Sequence, residues 1–310
     1  MWTTIDNSLC ELGESPFGHP QERALYWLDI PGRAVLRTRG DIGTPSATVE
    51  RWALATEPGC MAPARSGGLV IALRDGIYRA RKWGGALVAI ARVEHDVRTM
   101  RFNDGKCDAL GRFWGGTLNE AKDRPNAALY CLDARSGTGV APTMTQMANQ
   151  ATTANGLGFS PDARTLYWAD TAAHQVRAWD WDTEANSLSH ARVFQQFDPK
   201  PEGWTPDSPV RYEGRPDGAT IDAQGHYWVS MFEGGQLLRF APSGERVAAI
   251  AVPVQCPTMP CFGGEDLQTL FVTSARKGRP ATEIEQRPAS GMVISMRVDT
   301  PGLPVSFFED

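Results

Sequence analysis

The sequence predicts an all-β fold, a six-bladed β-propeller, and three observations predict it. Short runs of aromatic and β-branched residues recur along the chain at intervals of 43 to 61 residues. Turn signals precede most of these runs, and amphipathic helical periodicity is hard to find between them. Spacing of this order is what four-stranded blades around a central channel produce. A chain of 310 residues suits one such ring, so residues 1–310 are read as a single domain.

The six runs are Ala24–Ile30, Gly68–Leu73, Gly111–Leu118, Thr165–Thr171, His226–Phe232 and Thr269–Ala275. Second strands of similar type follow several of them, at Gly76–Ala80, Ala128–Asp133, Gln175–Asp180 and Gln236–Ala241. The last strand, Gly291–Val298, is expected to share a blade with a strand from the N-terminal segment, which closes the ring and removes free edges. Two stretches rich in Pro, Gly and charge, Asn119–Pro125 and Asp198–Pro216, read as loops at the mouth of the channel.

Composition narrows the function classes. Hydrophobic residues make up 42% and charged residues 22%, the balance of a globular protein, with a net charge of −5 and a pI of about 5.6. Basic residues do not cluster as a phosphate backbone requires, so nucleic acid is not an expected partner. No apolar run reaches the ~18 residues of a membrane span, and the N-terminal stretch has neither a basic nor an apolar leader region. The expectation is a cytoplasmic protein that does not touch membranes. Its six cysteines then read as free thiols packed as small apolar groups, with Cys256 and Cys261 giving only weak support for a structural zinc.

The segment Arg101–Leu118 joins a polar half, Arg-Phe-Asn-Asp-Gly-Lys-Cys-Asp, to a strand closely approached by another backbone. Asn103-Asp104-Gly105 is a turn signal, and it would set Arg101 and Asn103 at the rim of a pocket. Three further turn-like segments carry oxygen ligands: Glu14 in Gly-Glu-Ser-Pro, Asn155 in Asn-Gly-Leu, and Asp217 in Pro-Asp-Gly. Glu14 and Asn155 each stand 13 residues before the tryptophan of their blade, and Asn103 and Asp217 stand 11 before theirs. Matched offsets in repeated units bring side chains to equivalent places around one end of the axis. Two carboxylates with amide oxygens suit a hard divalent cation, Ca²⁺, Mg²⁺ or Mn²⁺, and tolerate Zn²⁺ or Fe²⁺. The bland alternative is that Asn-Gly and Asp-Gly are simply turns.

Taken with Arg112–Thr117, Ser160-Pro161-Asp162, Asp170-Thr171 and Phe262-Gly263-Gly264, these motifs resemble the SMP-30/gluconolactonase/LRE (regucalcin-like) family in order and spacing, from about Leu12 to Ala275. The resemblance implies a propeller that holds one divalent cation and hydrolyses sugar lactones in sugar-acid catabolism. It implies Glu14, Asn155 and Asp217 as metal ligands, and Arg101 and Asn103 as substrate contacts, with Asn103 reaching the metal through water. Glu120, just after Gly116-Thr117-Leu118, is a candidate for a sugar hydroxyl, although Leu118 replaces the Met usual in the family. Lactone hydrolysis needs a polarised carbonyl, an activated water and oxyanion stabilisation. Asp217 is the expected general base, with attack by a metal-bound hydroxide as the alternative, and Arg101 is the expected donor.

Motifs of the G-x-S-x-G and H-E-x-x-H types are missing. The five histidines are scattered, and only His19 stands near a candidate ligand in sequence. Trp204 is a candidate lid. Two other readings stay open: a metal-dependent esterase or organophosphate hydrolase, which an apolar wall from Trp204 and Met231 would favour, and a non-catalytic cation-binding propeller.

Overall fold

A computed structural model describes residues 1–39, 48–135 and 141–310. Six four-stranded antiparallel sheets are arranged as the blades of a propeller. The innermost strands are Gly13–His19, Pro58–Pro63, Met100–Cys107, Ala154–Phe159, Arg215–Ile221 and Pro257–Gly263. The aromatic runs read from the sequence are the second strands of their blades, for example Ala24–Asp29, Phe113–Asn119 and Tyr227–Phe232.

Each second strand is buried along its length because a blade is covered by a neighbour on both faces. The resulting hydrophobic clusters lie between adjacent blades. Trp114 and Trp168 share the cluster between the third and fourth blades, Trp228 lies between the fifth and sixth, and Trp27 lies between the sixth and first. Two of these indoles are satisfied alike: Trp114 Nε1 donates to Asp108 (2.8 Å) and Trp228 Nε1 to Asp222 (2.9 Å).

The ring closes as expected. Thr3–Thr4 pairs with Ile294–Arg297, so the sixth blade contains strands from both ends of the chain. Ile5 and Cys10 continue this closure through backbone hydrogen bonds to Val293 and Gly291. One short helix, Ala281–Gln286, was not foreseen, because six residues are too few to leave a legible periodicity. No helix among the described residues is long and apolar enough to cross a membrane.

All six inner strands carry a register shift at the same level, near the end at which they begin: between Glu14 and Phe17, Pro58 and Cys60, Phe102 and Gly105, Asn155 and Gly158, Pro216 and Ala219, and Pro257 and Pro260. Bulges of this kind re-aim side chains and leave the strand paired on either side. The Asn-Asp-Gly, Asn-Gly and Asp-Gly segments read as turns are therefore bulges inside strands. Of their glycines, Gly156 takes a positive φ of +56°, whereas Gly105 and Gly218 are closely approached, an added Cβ coming within 2.3 Å of the Trp114 carbonyl and 2.5 Å of Met259.

Candidate active site

Glu14, Asn103, Asn155 and Asp217 all lie at this bulged level and are buried. Their approach strands are anchored alike in two blades. The Asp29 carboxylate accepts the N–H groups of Glu11 (3.2 Å) and Leu12 (3.3 Å) ahead of Glu14. The Asp170 carboxylate accepts those of Thr152 (2.9 Å) and Thr153 (3.0 Å) ahead of Asn155. Matched offsets in the sequence thus reflect a matched local device.

Two threonines complete the placement. Thr171 donates its hydroxyl to the carbonyl of Pro216 (2.7 Å), next to Asp217, and Thr258 donates to that of Gly13 (2.5 Å), next to Glu14. With its proton committed, Thr171 Oγ1 accepts from Asn155 Nδ2 (2.7 Å), which fixes which end of the amide is the nitrogen. Asn155 Oδ1 accepts from Asn103 Nδ2 (3.0 Å), Asn103 also donates to the Ala154 carbonyl (2.9 Å), and Arg101 Nη1 donates to Asn103 Oδ1 (2.9 Å). Arg101, Asn103 and Asn155 are thus linked directly, and Thr171 ties Asn155 to the backbone beside Asp217.

The two carboxyl groups belong to one electrostatic unit. Burial, then Asp217 and Asp104, push Glu14 well above the ordinary range. Burial and Asp104 push Asp217 up to about 8, against the opposing fields of Arg215 and Lys122. Neither carboxylate forms an ion pair among the described residues. Buried carboxyl groups that repel one another, beside an amide oxygen, fit a small divalent cation, whose charge removes the cost of ionising both. Among the described residues no three His, Cys, Asp or Glu side chains cluster as a metal site would need.

Glu120 is at the rim, about 40% exposed, where Arg74 grips it in a bidentate pair (2.6 and 3.1 Å) and Arg101 stands 3.8 Å away. Arg74 was missed by sequence reasoning, since it comes from a hairpin with no motif of its own. Asp104 was read as part of a turn; its Oδ2 accepts the Leu157 N–H (2.8 Å), and its buried Oδ1 has no partner. Lys122 and Arg215, both within the electrostatic reach of Asp217, were also missed.

Met231 departs from expectation, and the structure also places His19 and Trp204. His19 is at the far end of its strand from Glu14, packed on Phe17, Tyr26 and Phe307, with a pKa lowered by burial. Met231 is fully buried in the core between the fourth and fifth blades, so it supplies no apolar pocket wall. Trp204 packs against Tyr212 in its own loop and donates to the Val210 carbonyl (2.9 Å). The six cysteines are buried free thiols, as read. A cavity of about 270 Å³ in the channel lies beyond the site, toward the opposite end, and is lined largely by apolar groups such as Met61, Met259 and Phe262.

The SMP-30/gluconolactonase/LRE-like family model matches residues 12–276. The chain belongs to this family. A 6-deoxy-6-sulfogluconolactonase of Pseudomonas putida is 36% identical over 96% of this chain and 94% of its own length. Regucalcin of Danio rerio is 32% identical over 95% of this chain and 93% of its own. A calcium-binding protein, regucalcin, from Agrobacterium tumefaciens superposes with a TM-score of 0.84 at 25% identity, over 98% of this chain and 96% of that one.

Proposed function

We propose that the protein hydrolyses a sugar lactone, a pentono- or hexonolactone, to the aldonic acid, using one divalent cation held by Glu14, Asn155 and Asp217. The observation that carries this reading is the convergence of two buried, mutually repelling carboxyl groups and an oriented amide at one end of the channel. Membership of the family, and a relative named as a lactonase, support the substrate class.

A divalent cation would polarise the lactone carbonyl and acidify a nearby water. Asp217, ionised once the cation is held, orients the attacking water and takes its proton. Arg101 donates to the developing oxyanion or to a sugar hydroxyl while holding Asn103 in place. Glu120, pinned by Arg74, is left with acceptor capacity for a ring hydroxyl.

The test is hydrolysis of a panel of pentono- and hexonolactones, followed by proton release, after chelation and after adding back Ca²⁺, Mn²⁺, Mg²⁺, Zn²⁺ or Fe²⁺. Acceleration above spontaneous hydrolysis that vanishes on chelation is expected. Asp217→Asn should lower turnover by about 100-fold or more while retaining part of the cation affinity. Activity within severalfold of the parent would remove Asp217 from the base role.

A further inference from the structure

Arg74 sits in the turn between Leu69–Leu73 and Gly76–Ala80 of the second blade, and its contacts reach two parts of the third. Its guanidinium holds both oxygens of Glu120 (2.6 and 3.1 Å), the residue that follows Phe113–Asn119. Its Nε donates to the Val97 carbonyl (3.0 Å), and its own carbonyl accepts from His95 Nε2 (2.7 Å). His95 and Val97 belong to the stretch that leads into Met100–Cys107, the strand of Arg101 and Asn103. That stretch is largely exposed from Glu94 to Thr99, so it has little packing of its own to hold it and depends on such hydrogen bonds. Glu120 is joined to the same stretch, its N–H donating to the Thr99 carbonyl (3.0 Å). One side chain of a neighbouring blade thus braces both the approach to Arg101 and the carboxylate beside it.

Resting on the lactonase reading, we infer that Arg74 is a positioning residue for the substrate: it fixes Glu120 in the orientation from which that carboxylate accepts a hydroxyl of the lactone. A bidentate fork uses one lone pair on each carboxylate oxygen and leaves one on each, directed away from the arginine. Glu120 is about 40% exposed, and without the fork its side chain would sample several rotamers that binding must then order. Arg74 removes that cost before the substrate arrives. It is itself a fixed reference, tied to the Val97 carbonyl and 3.6 Å from Glu57. The hydrogen bonds from Arg74 also hold the Glu120 carboxyl below its ordinary range, so it stays ionised and acts only as an acceptor. Arg101 does not replace Arg74, since it stands 3.8 Å from Glu120 and donates to Asn103 and the Phe102 carbonyl. The proposed cation ligands lie in the first, fourth and fifth blades, and these contacts of Arg74 reach none of them.

The test measures kcat and KM on the lactone panel, and cation affinity by calorimetry, for the parent, Arg74→Met, Arg74→Lys, Glu120→Gln and the Arg74→Met/Glu120→Gln double variant. Arg74→Met should raise KM about tenfold, the loss of an aligned hydrogen bond to a charged group, with kcat and cation affinity little changed. It should add nothing in the Glu120→Gln background, because the carboxylate that it positions is already gone there. Arg74→Lys keeps the charge but not the fork, and its KM should fall between those of the parent and Arg74→Met. A parental KM in Arg74→Met overturns the inference. An equal KM penalty with and without the Glu120 carboxylate does so too, since Arg74 would then act elsewhere. A fall in cation affinity together with kcat would mark a general loosening of the channel mouth and count against a positioning role. Should Arg74→Met not fold, Arg74→Lys decides, and a parental KM there removes the fork as the cause. Failure of the parent to hydrolyse any lactone with any cation overturns both this inference and the reading beneath it.

Discussion

Thr171 is a small residue with a large share in the placement of the site. Its one proton goes to the Pro216 carbonyl and its oxygen accepts from Asn155, so a single hydroxyl sets the amide of one proposed ligand and the backbone beside another. Thr171→Val keeps the volume but leaves Asn155 Nδ2 and the Pro216 carbonyl without their partner. The expected result is a loss of cation affinity of about 10- to 100-fold and a destabilisation of about 1–3 kcal/mol. Cation titration by calorimetry and chemical denaturation read these separately, and Thr171→Ser should recover most of both. Unchanged cation affinity in Thr171→Val would mean that Asn155 is not held for a ligand role.

At the scale of the strand, the six matched bulges explain what the sequence disclosed and what it hid. The tryptophan-bearing second strands were legible because they are buried on both faces and read as continuous apolar runs. Asn103, Asn155 and Asp217 were legible because each stands beside Gly in its bulge, or one residue from it, and Glu14 because its offset from Trp27 matches that of Asn155 from Trp168. Lys122, Arg74 and Arg215 were not, since loop and rim residues obey no period and acquire meaning only when blades distant in sequence meet. Gly156 tests the bulge itself. Its φ is +56°, and an added Cβ would come within 2.3 Å of the Tyr227 hydroxyl. That hydroxyl donates to the Gly156 carbonyl, tying the fourth blade to the fifth. Gly156→Ala should therefore cost about 1–3 kcal/mol or more in urea denaturation and lower lactone turnover by displacing Asn155. A variant as stable and active as the parent would show that the bulge is pliable.

For the whole molecule, the site couples folding to protons and, on the proposed reading, to a cation. Asp217 moves from an ordinary 3.8 in the unfolded chain up to about 8 in the fold, and Glu14 moves in the same direction. The folded protein without a cation therefore binds more protons than the unfolded chain across that interval. By linkage, this contribution to stability is complete below the ordinary carboxyl range and is lost as pH rises through about 8. His19, His95 and His174 have pKa values lowered by burial, so they act in the opposite sense, but their contribution is complete once pH exceeds their ordinary 6.5. The interval from pH 7 to about 8 isolates the carboxyl pair from these histidines. Chelated protein should lose stability across it, with a slope approaching about 1.4 kcal/mol per pH unit for each carboxyl still protonated. Asp217→Asn should flatten that slope. Saturating Ca²⁺ should remove it too, because the cation binds the ionised pair and expels the protons, and calorimetry in buffers of different ionisation enthalpy should register their release. A chelated protein that gains stability from pH 7 to 8, or cation binding without proton release at pH 7, would show that Glu14 and Asp217 do not ionise together to receive the ion.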